Sequence, residues 1–300
     1  MLIHEIVDFC NNEYRCADTE HLCPTCNHPS ECSGSCKRCL EQVHFPDDYP
    51  HGKHEYDCPN MINYYVCSYS NKYASEMLYL LQKSEKLEQL QEYRIFSIGC
   101  GAAPDLMAFE KYVNVTSPDK RIRYYGMDMN LLWEPIHEQI ERYVNECNLI
   151  EWVEFEYADA MEYINTHDIL ETNVIVLQYV ISYFYNTGQI QEIQHFFECL
   201  VENVIEHKKE DEPCVILIND VNSSNRGRNL FTDIIGILQS HQVHGQKQRY
   251  YFDYKIKHDG QRYGIRHESV DMLFSFRDVD LSIYDRWSHC SSAQLLIEID

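Results

Sequence analysis

Residues 94–105, RIFSIGCGAAPD, carry the residue types of a ligand-binding turn. An apolar run of strand type ends at Gly99 and Gly101, and Pro104 and Asp105 stand where a helix would begin. Glycine at such a turn lets a ligand approach the backbone closely, because no side chain is in the way. Proline suits the first helical turn, where its missing N–H would have had no partner. The stretch therefore predicts a strand, a glycine turn and a helix that together hold a nucleotide-like ligand.

The turn departs from two common phosphate-binding patterns. The dinucleotide fingerprint has a third glycine where this chain has Pro104, and the lysine of a P-loop is absent. Polar residues nevertheless follow the next predicted strands in order: Asp128, Asp159 with Ala160, and Gln178 with Tyr179. An acid after the second strand can accept both ribose hydroxyls, and the position after the third can meet the amino group of an adenine. One such residue is ordinary turn chemistry, but the ordered series favours a nucleoside ligand.

A second group of residues that could do chemistry lies near the N-terminus. Nine of the fourteen cysteines precede residue 68, and Cys23-x-x-Cys26 and Cys36-x-x-Cys39 have the spacing of structural zinc sites. In a reducing compartment such clustering favours a metal over disulfides. We therefore predict at least one zinc ion, without assigning which residues share it. The candidate ligands are Cys16, Cys23, Cys26, Cys32, Cys36, Cys39 and Cys58.

Composition and charge limit the classes of partner. The formal net charge of −23 disfavours strong non-specific binding to nucleic acid, which depends on neutralising phosphates. No apolar run approaches the length that spans a bilayer, so no membrane partner is expected. The first residues, MLIHEIVDF, include acids where a signal peptide needs a basic start. These features predict a cytoplasmic protein.

The elements that position these residues follow from the apolar periodicity. Residues 61–92 lack Gly and Pro and predict one long helix that leads into the first strand, 95–98. Further strands are predicted at 123–127, 152–157, 173–178, 214–218, 249–256 and 293–299, and helices at 131–148, 190–204 and 230–238. Such alternation predicts a mostly parallel sheet covered on both faces, with its ligand outside the carboxyl ends of the strands. The predicted organisation is a cysteine-rich metal-binding module at 1–60, a connecting helix at 61–93 and a ligand-binding domain at 94–300.

The motifs IGCGAAPD, YYGMD, YADAM and VLQYVISYF resemble those of class I S-adenosylmethionine-dependent methyltransferases across residues 94–300. The resemblance implies a doubly wound, mostly parallel, seven-stranded α/β sheet of Rossmann-like type, whose last strand, 292–299, runs antiparallel. A small irregular cysteine-rich module would precede it. The resemblance also implies S-adenosyl-L-methionine as cofactor. The implied cofactor-binding residues are Gly99, Cys100, Gly101, Pro104, Asp105, Asp128, Met129, Asp159, Ala160, Gln178, Tyr179 and, from the helix before the first strand, Tyr73.

The same comparison of motifs leaves the catalytic residues and the methyl acceptor unknown. Residues 177–180, LQYV, are not the Asn/Asp-Pro-Pro-aromatic signature of enzymes that methylate amino groups of nucleic acids. Protein, RNA and small molecules all stay open as acceptors. An alternative to the enzyme also stays open, namely a non-catalytic, regulatory protein with this fold. A third alternative is a radical S-adenosylmethionine enzyme, because Cys32-x-x-x-Cys36-x-x-Cys39 has the spacing of its iron–sulfur ligands. It is disfavoured because no strand precedes Cys32.

Overall fold

The computed structural model of the protein describes residues 1–15, 32–167, 169, 171–253, 262–276 and 279–300. The strands among these residues are β1 (Tyr93–Ile98), β2 (Ile122–Met127), β3 (Ile150–Glu156), β4 (Val174–Gln178), β5 (Cys214–Val221), β6 (Gly245–Tyr251), β7 (Ile265–Arg266) and β8 (Ser292–Ile299). The α-helices are α1 (Leu2–Glu13), α2 (Cys36–His44), α3 (Pro59–Leu81), α4 (Lys86–Gln89), α5 (Pro104–Thr116), α6 (Glu134–Val144), α7 (Ala160–Thr166), α8 (Ile181–Asn186), α9 (Glu192–Leu200) and α10 (Asp233–Ser240).

One sheet of eight strands organises the described part of the chain, in the order β3-β2-β1-β4-β5-β8-β6-β7. The strands from β3 across to β5 pair in parallel, and β8 runs antiparallel to both β5 and β6. The predicted mostly parallel sheet with an antiparallel last strand is therefore confirmed. The predicted number of seven strands is wrong, because the two residues of β7 add an eighth strand by pairing with β6.

Helices cover both faces of the sheet, as a doubly wound fold requires. Neighbouring residues of β1 belong to different apolar clusters, Ile95 to one and Phe96 to the other, because successive side chains of a strand point to opposite faces. Apolar side chains of α1, α3, α5 and α6 fill the first cluster, and those of α9 and α10 fill the second. Strands β1, β4 and β8 are buried over their whole length, which explains their nearly continuous apolar sequences.

The helix predicted over 61–92 is wrong as a single element. Helix α3 ends at Leu81, and only the short α4 follows before β1. At the break, the Ser84 hydroxyl donates to Glu298 Oε1 at 2.6 Å, and the Lys86 N–H donates to the same oxygen at 2.8 Å. A carboxylate on β8 thus binds the chain where it turns from helix to strand. Such a partner, more than 200 residues away in the chain, leaves no signal in the local sequence.

Shorter departures affect three other predicted helices. A 3₁₀ turn at Leu131–Trp133 precedes α6, another at Arg228–Thr232 precedes α10, and a π-helical segment at Val201–Ile205 continues α9. The apolar periodicity therefore predicts that a helix is present but not its hydrogen-bond pattern at the ends.

Helix α1 is missed by the sequence analysis. Five of its apolar residues recur at helical spacing and are buried: Leu2, Ile3, Ile6, Val7 and Cys10. The helix packs against α3 and α6, so these side chains belong to the first apolar cluster of the sheet. The described part of the first sixty residues therefore contains two regular helices, α1 and α2, and the expected irregular cysteine-rich module is not confirmed. The boundaries at residues 60 and 93 stay predictions.

Candidate functional site

The glycine turn lies at the carboxyl end of β1, between that strand and α5. Gly99, Gly101 and Ala103 all adopt left-handed backbone angles, with φ of 64°, 50° and 51°. A Cβ atom on residue 99 would lie 2.9 Å from Cγ2 of Val180, so glycine is required there by both angle and space. A Cβ on residue 101 would meet only the Trp133 ring, at 3.6 Å, so only the backbone angle calls for glycine at that position.

Asp128, at the end of β2, is bound to this turn. Its Oδ2 accepts from the Gly101 N–H at 3.0 Å, and its Oδ1 accepts from the Asn130 N–H at 2.9 Å. Burial raises the pKa of the Asp128 carboxyl to about 6. A carboxylate oxygen has two lone pairs, so each oxygen keeps one acceptor site for a further donor, such as a hydroxyl. Asp128 is therefore placed as the sequence predicts, next to the turn, with acceptor capacity left.

His137 on α6 fixes the other side of the turn, and the sequence analysis misses it. Its Nε2 lies 2.7 Å from the Gly101 carbonyl oxygen, and its Nδ1 lies 2.7 Å from the Tyr157 hydroxyl. Burial lowers the pKa of His137 to about 4, so the ring is neutral near pH 7. A carbonyl oxygen can only accept, so Nε2 carries the proton and Nδ1 accepts from Tyr157. The ring also stacks on Phe155 with centroids 3.7 Å apart. The one sequence signal is a histidine on the apolar face of a predicted helix.

A small cavity lies where the glycine turn, the end of β4 and α3 meet. Its volume is about 30 Å³, which is close to the space of one water molecule. The residues that line it are Tyr65, Ser70, Tyr73, Ser97, Gly99, Cys100, Gly101, Ala102, Pro104, Asp105, Gln178 and Tyr179. None of these is Lys or Arg. Sites for ligands of nucleoside size or larger usually measure ~300–1,000 Å³, so side chains must move aside to admit one.

A group of aromatic rings, here called the tyrosine wall, lines part of the cavity and continues beyond it. The Tyr73 and Tyr179 rings lie 4.1 Å apart, and the Tyr65 ring lies 5.9 Å from Tyr73 and 5.8 Å from Trp133. Tyr56 extends the group, 5.3 Å from Tyr65. The sequence analysis names Tyr73 from this wall, and Tyr56 and Trp133 join it from distant parts of the chain. Ring faces carry a partial negative charge, which attracts cations.

A buried ion pair lies against the tyrosine wall, with Lys72 Nζ 5.0 Å from the Tyr73 ring centroid and 4.8 Å from that of Tyr179. Lys72 Nζ is 3.0 Å from Glu76 Oε1, and both side chains are almost fully buried. Lys72 also donates to the Tyr179 hydroxyl, which in turn donates to Glu76 Oε2 at 2.7 Å. Tyr179 has a left-handed backbone with φ of 60°, which is costly for a residue with a side chain. These bonds hold the Tyr179 ring against the cavity despite that cost.

Gln178, the last residue of β4, has an incompletely paired side chain. Its Nε2 donates to the Tyr73 carbonyl at 2.9 Å. Its Oε1 is buried and has no hydrogen-bond partner among the described residues. Gln178 is 8% exposed and lines the cavity.

The structure brings together eight of the twelve predicted cofactor-binding residues. Those that line the cavity are Gly99, Cys100, Gly101, Pro104, Asp105, Gln178, Tyr179 and Tyr73. Asp128 contacts the turn from outside this lining. Asp159 is exposed and is the N-cap of α7, where it accepts from the Glu162 N–H at 2.9 Å. Ala160 is the first residue of that helix. Met129 is 60% exposed. The predicted contacts of all twelve residues with a nucleoside stay predictions.

The predicted zinc ligands are only partly described. Cys36 and Cys39 are buried in the first turn of α2, and Cys58 is buried just before α3. Cys32 is half-buried, and Cys16, Cys23 and Cys26 lie outside the described residues. Among the residues that the structure describes, no group of three or more His, Cys, Asp or Glu side chains is arranged to hold a metal ion.

Strand order and site together define a doubly wound α/β protein with a small cavity at the carboxyl edge of its sheet. No protein-family model and no curated protein matches the chain. Similar solved structures include the plantazolicin methyltransferase BamL in complex with a triazolic desmethylPZN analog and SAH, at 10% identity and a TM-score of 0.46 over 88% of this chain and 95% of that one. The bifunctional kinase-methyltransferase WbdD is 10% identical, with a TM-score of 0.37 over 88% of this chain and 46% of that one. The fibrillarin/Nop5p complex is 11% identical, with a TM-score of 0.37 over 77% of this chain and 82% of that one. These likenesses are too distant to carry an argument about chemistry. In the described part of the chain, no helix is both long and apolar enough to cross a membrane.

Proposed function

We propose that this chain is an S-adenosylmethionine-dependent methyltransferase whose methyl acceptor is a protein, an RNA or a small molecule. The observation that carries the proposal is the cavity between the glycine turn and the tyrosine wall, with Asp128 bound to the turn beside it. Strand order places this cavity at the carboxyl edge of a doubly wound sheet, where such sheets bind ligands.

The lining supports a nucleoside without phosphates. A dinucleotide would bring a pyrophosphate to a turn whose neighbours are Asp105 and Asp128, while the lining itself contains no Lys or Arg. S-adenosylmethionine carries no phosphate, and its ribose hydroxyls suit the free lone pairs of Asp128. The faces of Tyr65, Tyr73 and Tyr179 suit a sulfonium cation. The residues present therefore fit this cofactor in chemistry, and the rings must shift to admit it.

The chain's own residues would orient the reactants. When bound, the cofactor would supply an activated methyl group, to whose carbon an in-line nucleophile bonds as the sulfur leaves as a neutral thioether. His137 and Asp128 hold the two sides of Gly101, so the backbone of the turn keeps one geometry. Holding reactants in a productive geometry is the main task of the protein in such a displacement. Closure of the tyrosine wall over the ligand would exclude water from the reacting atoms.

Two measurements test the proposal. Calorimetry should give saturable binding of S-adenosylmethionine and S-adenosylhomocysteine, and none of a nicotinamide dinucleotide. Incubation with methyl-labelled S-adenosylmethionine and a cell extract should then release S-adenosylhomocysteine and transfer label to one fraction. Absence of binding by both adenosyl ligands, with the protein shown to be folded, would overturn the proposal.

A non-catalytic protein with the same fold is the second candidate. It is favoured by the tight packing of the tyrosine wall, in which the Tyr73 and Tyr179 rings, 4.1 Å apart, lie beside a cavity of only about 30 Å³. Such a protein would bind the adenosyl ligands but release no S-adenosylhomocysteine with any extract fraction. The turnover measurement therefore separates the two candidates.

We also propose that the N-terminal cysteines bind zinc. The support is the spacing of Cys23 with Cys26 and of Cys36 with Cys39, together with the burial of the second pair. Protein purified without added metal should contain at least one zinc per chain by elemental analysis, and a strong chelator should lower its melting temperature. Iron with a brown chromophore would instead support the iron–sulfur alternative. Neither metal, with all thiols free, would contradict both.

A further inference from the structure

The Lys72 ammonium lies among three aromatic rings beside the cavity. Its Nζ is 5.2 Å from the Trp287 ring centroid, in addition to its contacts with the Tyr73 and Tyr179 rings. Tyr73 and Tyr179 line the cavity, whereas Lys72 does not. The same two rings thus contact both the cavity and a buried positive charge. A charged group bound against these rings would therefore interact with the Lys72 charge as well as with the rings.

Glu76 supplies the opposite charge, and its carboxylate is held by more than the lysine. Its Oε1, which pairs with Lys72, also accepts from the Ser291 and Ser292 N–H groups at 2.8 and 3.2 Å. Its Oε2 accepts from the Tyr179 hydroxyl at 2.7 Å. Hydrogen bonds from such donors stabilise a carboxylate over the neutral acid. The negative charge of Glu76 is therefore supported by donors other than Lys72.

We propose that Lys72 and Glu76 are a specificity-determining pair that sets how the cavity distinguishes a cationic ligand from a neutral one. The Lys72 ammonium opposes a positive charge at the Tyr73 and Tyr179 rings, and Glu76 offsets that opposition. The inference rests on the proposed methyltransferase function, because S-adenosylmethionine carries a sulfonium cation where S-adenosylhomocysteine carries a neutral sulfur. Neither Lys72 nor Glu76 lines the cavity, so both act through charge and not by contact with the reacting atoms.

The remaining charges at the cavity make this pair decisive. The lining contains one carboxylate, Asp105, and no Lys or Arg. Asp105 lies in the first turn of α5, where its Oδ1 accepts from the Tyr124 hydroxyl at 3.1 Å. A cation in the cavity is therefore attracted by Asp105 on one element and opposed by Lys72 on another. The Glu76 carboxylate, 3.0 Å from the Lys72 ammonium, decides how much of that opposition is left.

The test compares the affinities of the two adenosyl ligands in variants that each remove one charge. A unit charge roughly 10 Å from a ligand's charge changes its affinity by about ten-fold at an effective dielectric constant of ~20. Lys72→Met leaves the Glu76 carboxylate alone, so calorimetry should show the affinity for S-adenosylmethionine rising about ten-fold relative to S-adenosylhomocysteine. Glu76→Gln leaves the ammonium alone and should lower the same ratio by about ten-fold. Burial raises the pKa of Asp105 and Asp128 to about 6, so measurement at pH 8 keeps both ionised.

The ratio of affinities separates charge from structure, because the two ligands differ only in the methyl group and its charge. A variant that merely distorts the site weakens both ligands together and leaves the ratio unchanged. Each single variant removes a different charge, so either one tests the inference if the other does not fold. The double variant Lys72→Met/Glu76→Gln removes both charges and should return the ratio to within about three-fold of that of the natural protein.

Lys111→Met is the matched control. Lys111 Nζ also lies beside an aromatic ring, 4.4 Å from the Phe274 centroid, but neither of these residues lines the cavity. This variant changes the net charge of the protein by the same amount as Lys72→Met. It should leave the ratio of affinities unchanged.

Three results would overturn the inference. An unchanged ratio in a folded Lys72→Met or Glu76→Gln variant would show that the pair does not act on the charge of the ligand. Shifts of the same sign in both variants would show the same. An equal shift in Lys111→Met would attribute the effect to the net charge of the protein. If neither ligand binds the natural protein, the proposed function fails and takes the inference with it, which is a different result from a ratio that does not move.

Discussion

The neutral His137 ring predicts a pH-dependent stability that can be isolated by one substitution. His137→Leu removes the donor to the Gly101 carbonyl and the acceptor for the Tyr157 hydroxyl. Each of these buried groups is left without its hydrogen-bond partner, which lowers the free energy of unfolding by about 1–2 kcal/mol per group. We therefore expect a loss of about 2–4 kcal/mol in the free energy of unfolding at pH 7.

The difference should shrink in acid, and the sign follows from proton linkage. The pKa of His137 is about 4 in the folded protein against 6.5 for an ordinary histidine, so the unfolded chain binds the extra proton between these values. The natural protein therefore loses stability as pH falls from about 6.5 towards 4, by up to ~1.4 kcal/mol per pH unit. The leucine variant lacks this contribution. At pH 5 the gap between the two proteins should be about 2 kcal/mol smaller than at pH 7.

Urea unfolding of both proteins at pH 7, 6 and 5 measures the effect. Other groups titrate in the same range, since burial raises the pKa of Asp128 and Asp105 to about 6, but they are present in both proteins and largely cancel in the difference. Tyr157→Phe serves as the control, because it removes one hydrogen bond and keeps the imidazole. A gap that stays constant from pH 7 to pH 5 would refute the neutral, buried ring.

Three further predictions concern the turn and the buried ion pair. Asp128→Ala should weaken S-adenosylmethionine binding by about 1.5–3 kcal/mol in calorimetry, the size of charge-assisted hydrogen bonds, and unchanged affinity would remove it from the site. Gly99→Ala should lower stability in urea by at least ~1–2 kcal/mol because of its left-handed backbone, whereas Gly236→Ala, in open space within α10, should raise it by up to about 1 kcal/mol; equal effects would contradict the turn geometry. Lys72→Met should lower the free energy of unfolding by about 3–5 kcal/mol, because Glu76 is left buried without its cation, and adding Glu76→Gln should restore part of it. A double variant less stable than Lys72→Met alone would count against that reasoning.

What could be predicted from the sequence is mostly local backbone structure. The glycine turn, the proline that starts α5 and the apolar strands depend on the conformational limits of individual residues and on alternation along one segment. The same reasoning places Asp128 beside the turn, because the ends of neighbouring parallel strands meet at one edge. The antiparallel β8 came from the resemblance of motifs, and the strand pairing confirms it.

The remaining parts of the site depend on contacts between distant segments. His137 is an ordinary helix residue until α6 packs beside the turn, and the Tyr56 and Trp133 rings meet only when the segment before α3 packs against the 3₁₀ turn before α6. The unpaired oxygen of Gln178 is visible only once its nitrogen is seen to bind the Tyr73 carbonyl. Hydrogen bonds and ring contacts of this kind join residues tens to hundreds of positions apart. The sequence alone therefore determined where the candidate site begins, whereas the tertiary structure decided which side chains complete it.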